Sequence, residues 1–320
     1  MKISINNDSK SFNNNITFDE GYDQFIRYCK VRNLREATIE HYNGTMRSVY
    51  KFIEPKTLIK NITPSTIDSF ILYMQTDLNI KDVTINTYLR TLRTILYYFM
   101  RLGYMQEFKI QNYKFDKTIV QTYTNEELKI LLKKPNMAKC SFVEYRTWVV
   151  ENFLLATGCR VHSLVNIKNK DIDFENAVVY LSTTKNRKPL IVPISTTLLE
   201  ILRKYMSVRG GELEDYLFCT EFGKQADRQT INVTIANYNK KRGVFKAGCH
   251  RFRHTFAKSY ILNGGDVFKL QKILGHSDMR IVRNYVEMFT EDLKIDFDSV
   301  NPLEQLQIDT NKKIKIKRGK

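Results

Sequence analysis

Cysteine is scarce and patternless in this chain. Cys29, Cys140, Cys159, Cys219 and Cys249 are scattered, odd in number and form no Cys-x-x-Cys pair. That spacing excludes a disulfide framework, gives no sign of a zinc site, and suits a reducing, cytoplasmic setting. Long apolar runs are missing as well, and no stretch approaches the length of a membrane span. The segment Met1 to Asn15 is polar and rich in asparagine, without the apolar core of a signal peptide. No group of Asp and Glu at metal-site spacing lies near the histidines, so no metal or other cofactor is expected. Acidic residues are also outnumbered, at 34 against 51 Lys and Arg, which leaves a net charge of +17. Such an excess asks for a polyanionic partner, nucleic acid before an acidic membrane surface. A basic enzyme that is merely soluble is the plainer alternative.

What is present points to two domains. A chain of 320 residues is long for one domain, and a hydrophobic fraction of 42% is enough for well-packed cores. After a flexible arm over 1–16, Thr17-Phe18-Asp19-Glu20 reads as a capping box in which Thr17 caps the helix and Glu20 reaches back. Phe25, Ile26 and Tyr28 continue that helix. A second helix is expected from Ala37 to Ile53, with Ile39, Tyr42, Met46, Val49 and Tyr50 on its buried stripe, ended by Pro55. Thr63-Pro64 opens a third, carrying Ile67, Phe70, Ile71 and Met74. The fourth runs from Val83 to Leu102 and stops at Gly103. Its apolar side is Leu89, Leu92, Ile95, Leu96 and Phe99. Arg90, Arg93 and Arg101 are interspersed, either along a phosphate backbone or on a solvated face. These helices make an all-helical domain over 17–113, followed by a linker over 114–122.

Thr124-Asn125-Glu126-Glu127 is a second capping box and opens the next domain, expected over 123–298. An apolar helix from Arg146 to Thr157 carries the only tryptophan, Trp148, and breaks at Gly158, with Arg160 just beyond. Val178-Val179-Tyr180-Leu181 and Leu190-Ile191-Val192-Pro193 read as the two strands of a hairpin, with Lys185 near its cationic tip. Helices follow over Thr197–Met206, Gln229–Lys241, Cys249–Asn263 and Val267–Leu274, the last ended by Gly275. A further helix over Met279–Phe289 carries Tyr285. The tail over 299–320 is basic at its end. The fold class is therefore mainly α with a small β-sheet.

Cleaving a phosphodiester needs a nucleophile, a proton for the leaving oxygen and cations on the non-bridging oxygens. Without a metal, side chains must supply the cations. Arg160 and Arg253 can clamp a phosphate bidentately at any pH. Lys185 can protonate a departing 5′ oxygen. His250 and His276 can hold protons or donate hydrogen bonds near neutral pH. Tyr285 can form a covalent phosphotyrosine and split one hard step into two. Taken singly, each has an ordinary structural reading: a core tyrosine, a solvated hairpin lysine, a histidine on a helix. The joint pattern in this order is what points to chemistry.

In that pattern the chain resembles the tyrosine recombinases of the phage-integrase family. The resemblance rests on Ala156-Thr157-Gly158-Cys159-Arg160, the hairpin from Lys185 to Val192-Pro193, the run His250-Arg251-Phe252-Arg253-His254-Thr255-Phe256-Ala257, Leu274-Gly275-His276-Ser277, and Tyr285. It implies a core-binding, SAM-like helical domain and a catalytic domain that clamp double-stranded DNA between them. It implies a pocket of Arg160, Lys185, His250, Arg253 and His276 around the nucleophile Tyr285. It also implies a homotetramer that exchanges strands through a Holliday junction, with a segment near Phe297 to Leu306 packed on a neighbour, and leaves open whether an accessory or directionality factor joins as a partner. One departure stands out. After the first arginine the family shows a small residue and then an acid, where this chain has His162 and Ser163. The arm before the first helix is also too short for a separate arm-site-binding domain. Two other readings share the scaffold, a type IB topoisomerase and a non-catalytic DNA-binding protein. The short spacing from His276 to Tyr285 and the complete pocket set speak against them.

Overall fold

The computed structural model describes residues 15–114, 121–182 and 189–275. The chain forms two compact units that divide at residue 118.

Among its described residues the first unit has four α-helices, as the apolar periodicity predicts: α1 (Phe18–Val31), α2 (Glu36–Val49), α3 (Pro64–Thr76) and α4 (Asp82–Arg101). The box at Thr17 forms as expected. Its hydroxyl oxygen accepts the Glu20 N–H, and the Glu20 carboxylate accepts the Thr17 N–H at 2.9 Å. α4 is the hub, because its apolar side meets α1, α2 and α3. Leu89, Leu92, Ile95, Leu96 and Phe99 are all buried, and the Phe99 ring meets Phe18 edge-on at 5.8 Å. Truncating Phe99 to alanine would cost about 3–5 kcal/mol. α2 stops at Val49 rather than running on to Ile53. The chain turns there, so that Thr57 and Pro55 carbonyls accept the otherwise orphaned N–H groups of Phe18 and Asp19. Two of the α4 arginines have partners within the unit. Arg93 donates to Asn112, and Arg101 lies over the rings of Tyr28 and Tyr98 at 5.0 and 5.4 Å.

The second unit runs α5 (Asn125–Leu131), α6 (Phe142–Thr157), α7 (Val161–Leu164), β1 (Ile172–Asp173), β2 (Val178–Leu181), β3 (Leu190–Pro193), α8 (Thr196–Arg209), α9 (Arg228–Lys241), α10 (Cys249–Leu262) and α11 (Val267–Leu274). The strands form one antiparallel sheet in the order β1-β2-β3, with Val179 opposite Val192 and Tyr180 opposite Ile191. The alternation is that of a half-buried sheet: Val179 and Val192 are buried, Tyr180 and Ile191 exposed. α6 is the centre of this unit and packs against α8, α9 and α10. It begins four residues before the expected Arg146, because the Ser141 hydroxyl caps the Glu144 N–H at 3.2 Å. Having neighbours on several sides, it buries Tyr145, Trp148, Val149, Val150, Phe153 and Leu154 together with two charged residue types, Arg146 and Glu151. Gly158, at φ +60°, ends it in the left-handed region. A Cβ at Gly158 would lie 2.4 Å from the Phe256 ring and 2.8 Å from a Leu274 methyl, so no side chain fits there. No helix among the described residues is long and apolar enough to cross a membrane.

Candidate active site

Three helix ends meet where the sequence places its clamp. Gly158 closes α6, Gly275 closes α11 at φ +61°, and α10 carries Arg253 in its second turn. Arg253 is 4% exposed. Its two terminal nitrogens donate to the Gly158 carbonyl at 2.7 Å and the Leu274 carbonyl at 2.8 Å. Both acceptors are orphan carbonyls of helix C-termini, where the dipole also favours a cation. Arg160, half-buried at the cap of α7, donates to the same Leu274 oxygen at 3.1 Å. Two guanidinium groups that lie 93 positions apart (253 − 160) therefore converge on one atom.

His250 stands at the second position of α10, exposed, one turn before the buried Arg253. The structure thus brings Arg160 and Arg253 together and carries His250 on the same helix as Arg253. Lys185, His276 and Tyr285 lie outside the described residues, although Leu190 at the base of the hairpin lies 3.1 Å from where a Cβ on Gly275 would be. His254, one turn after His250, is half-buried. Burial holds its imidazole below the usual range, and the charges of His250, Arg253 and Arg251 push the same way. Cys159, between Gly158 and Arg160, is inert by the same physics: burial pushes its thiol up to about 12. Ser163, at the position where an acid was expected, is buried in α7. No group of three His, Cys, Asp or Glu that could hold a metal ion occurs among the described residues.

What the sequence could not announce is the backbone part of this site. The Gly158 and Leu274 carbonyls fix where the two guanidinium groups sit, and only the helix-ending glycines beside them hinted at it.

Several solved structures share this architecture. The Tn1549 transposon integrase in complex with a circular intermediate DNA matches with a TM-score of 0.71 at 19% identity, over 84% of this chain and 95% of that one. A lambda integrase dimer bound to a COC′ core site gives 0.69 at 16% identity, over 84% and 95%. The fold is thus that of the tyrosine integrases. The sequence relatives carry it further. The tyrosine recombinase XerA of Pyrococcus furiosus is 26% identical over 90% of this chain and 96% of its own. The tyrosine recombinase XerD of Staphylococcus saprophyticus is 27% identical over 89% and 99%. The phage integrase family profile matches residues 121–291, and the phage integrase SAM-like domain profile matches 17–115. The chain belongs to the phage integrase family, and by class it is a tyrosine-type recombinase, an enzyme of DNA strand breakage and rejoining.

Proposed function

We propose that this enzyme cuts and reseals double-stranded DNA at specific sites through a covalent 3′-phosphotyrosine on Tyr285, without a metal ion or ATP. The observation that carries the reading is the shared Leu274 oxygen, on which Arg160 and Arg253 converge. A guanidinium has five N–H donors, so some can be held by carbonyls while others meet a phosphate. Two such groups on one phosphate neutralise the charge that builds up as its phosphorus is attacked. The Tyr285 hydroxyl oxygen bonds to phosphorus, and the bond from phosphorus to the 5′ oxygen breaks. Lys185 delivers a proton to that oxygen, while His250 and His276 hold the non-bridging oxygens or move the tyrosine proton. One phosphoester replaces another, so the bond energy stays in the link. Attack by a 5′-hydroxyl from the partner duplex reverses the step and joins new strands.

The net charge of +17 supports a phosphate-rich partner. A lambda integrase tetramer bound to a Holliday junction shares the fold, with a TM-score of 0.69, and supports four copies working together on two sites. The domain division we infer is a helical DNA-binding domain over 17–113 and a catalytic domain over 123–298. Integration, excision and resolution of DNA all use this chemistry.

The test is a nicked suicide duplex, which traps the covalent intermediate. Wild-type protein should form the adduct in the presence of a chelator, and Tyr285→Phe should bind the duplex but form none. An adduct that survives Tyr285→Phe would remove that residue as nucleophile. Relaxation of a plasmid that carries no paired sites, with no recombination of paired ones, would point to a topoisomerase instead.

A further inference from the structure

The core of the second unit contains a corner with too many acceptors. Glu151, in the middle of α6, is 0% exposed, and neither carboxyl oxygen has a hydrogen-bond partner among the described residues. Asn239, in the last turn of α9, is also 0% exposed. Its amide nitrogen donates to the Tyr123 hydroxyl at 3.1 Å and to the Lys246 carbonyl at 2.9 Å, while its Oδ1 has no partner there. Tyr123 extends the same network. Its backbone N–H donates to the Thr255 hydroxyl of α10 at 3.0 Å, and its ring packs on Phe252 at 4.6 Å.

The groups around Glu151 do not offer it a counter-ion. From α9 come Tyr238 and, just past its end, Arg242; from α10 comes Cys249; from the irregular segment before α5 comes Tyr123. Arg242 is the one cation of this set, and it is paired with Glu144 at 2.9 Å and stacked on Tyr238 at 3.5 Å. α8 presents Tyr205 to Arg146 rather than to Glu151. An ionised carboxylate here would be a buried charge with no bonded partner, a costly arrangement. Burial accordingly raises the Glu151 carboxyl well above the ordinary range, and the Arg242 charge opposes this more weakly. A carboxyl that keeps its proton is a donor, and a donor is what Asn239 Oδ1 lacks.

We propose that Glu151 is a positioning residue: its carboxylic proton is donated to Asn239 Oδ1, directly or across one buried water, and locks the corner between α9 and α10 onto α6. That corner includes Lys246 and leads straight into His250 and Arg253, while α6 leads into Arg160. The lock therefore sets the two arginine-bearing segments against each other. The inference rests on the roles given to those residues above.

Two substitutions separate it from a purely structural role. Glu151→Gln keeps the size and supplies a permanent N–H donor; Glu151→Leu removes the donor. Infrared difference spectra of wild-type protein at neutral pH should show the C=O stretch of a protonated buried carboxyl that Glu151→Gln lacks. Amide exchange over residues 246–250 should quicken in Glu151→Leu and stay near wild type in Glu151→Gln. Single-turnover cleavage of a nicked duplex should fall about tenfold or more in Glu151→Leu through misplacement of the arginines. DNA affinity should hold. Glu151→Gln should keep the neutral-pH rate and lose whatever part of the alkaline decline comes from ionisation of Glu151. Absence of the carboxyl band overturns the proposal, as does a Glu151→Leu protein with wild-type exchange and cleavage. If Glu151→Leu does not fold, the pH profile of Glu151→Gln decides, and a profile identical to wild type counts against. If the wild-type protein forms no covalent adduct, the reading of the active site fails, while the infrared and exchange results still decide on Glu151.

Discussion

Replacing Arg253 with alanine removes a guanidinium that is 4% exposed and bonded at 2.7 and 2.8 Å to the carbonyls of Gly158 and Leu274. Two losses follow, and they can be measured apart. The first is structural. A hydrogen bond from a charged donor contributes about 1.5–3 kcal/mol, and two buried carbonyls lose that donor, so stability should fall by about 3–5 kcal/mol. The second is chemical. Removing one charged donor from a developing oxyanion costs about a hundredfold to a thousandfold in rate, or roughly 2.7–4 kcal/mol. Arg160→Ala is the companion experiment. It is half-buried and donates to the Leu274 carbonyl at 3.1 Å; loss of that bond should lower stability by about 1.5–3 kcal/mol. Its chemical loss should match that of Arg253→Ala. Arg253→Lys keeps the charge but not the fork, and should recover little. Urea unfolding reads the first quantity, and single-turnover trapping on a nicked duplex, below the melting range of every variant, reads the second. A folded Arg160→Ala or Arg253→Ala protein that cleaves within about threefold of wild type would refute the clamp.

Three further outcomes are expected. Gly158→Ala should destabilise the second unit by about 2–3 kcal/mol or more, because a left-handed φ and a Cβ pressed into Phe256 act together; urea unfolding at wild-type stability would contradict this. His254 is held below its ordinary range, so the unfolded chain binds more protons between the folded value and about 6.5. Stability should therefore decline as pH falls from about 6.5 through that interval, and His254→Gln should flatten the slope in melts taken between about pH 7 and pH 5. DNA affinity should fall linearly with the logarithm of salt concentration, and Arg253→Ala should lower the slope by about one unit in a titration series; an unchanged slope would take that guanidinium off the phosphates.

Much of the helix framework could be read directly because its ends are written in side chains. Thr17 with Glu20, Thr124 with Glu127, and Pro64 after Thr63 each mark a start that the structure keeps. Gly275 marks the end of α11 at the expected residue. The start of α6 is also written, in Ser141 three residues before Glu144, but the first turn after it is mixed in character and the apolar run begins only after Arg146. β1 could not be read, since a two-residue strand has no period and exists only by pairing with β2. Residue types alone singled out Arg160, His250 and Arg253, and the fold brings the two arginines to one oxygen. Residue types could not reveal that oxygen, because every residue has a carbonyl and only the fold selects one. Glu151 was hidden for a related reason: inside an apolar helix its charge looks like an exposed face, and only the packing on several sides of α6 shows it to be buried.

The Leu274 carbonyl has one more consequence. It belongs to the peptide bond that joins α11 to Gly275, and the chain toward His276 and Tyr285 leaves from there. In the proposed assembly, a neighbouring copy that pulled on the downstream polypeptide would pull on the carbonyl that both guanidinium groups hold. Traffic between subunits and readiness to cut would then share a single covalent handle, with no relay of side chains needed between them.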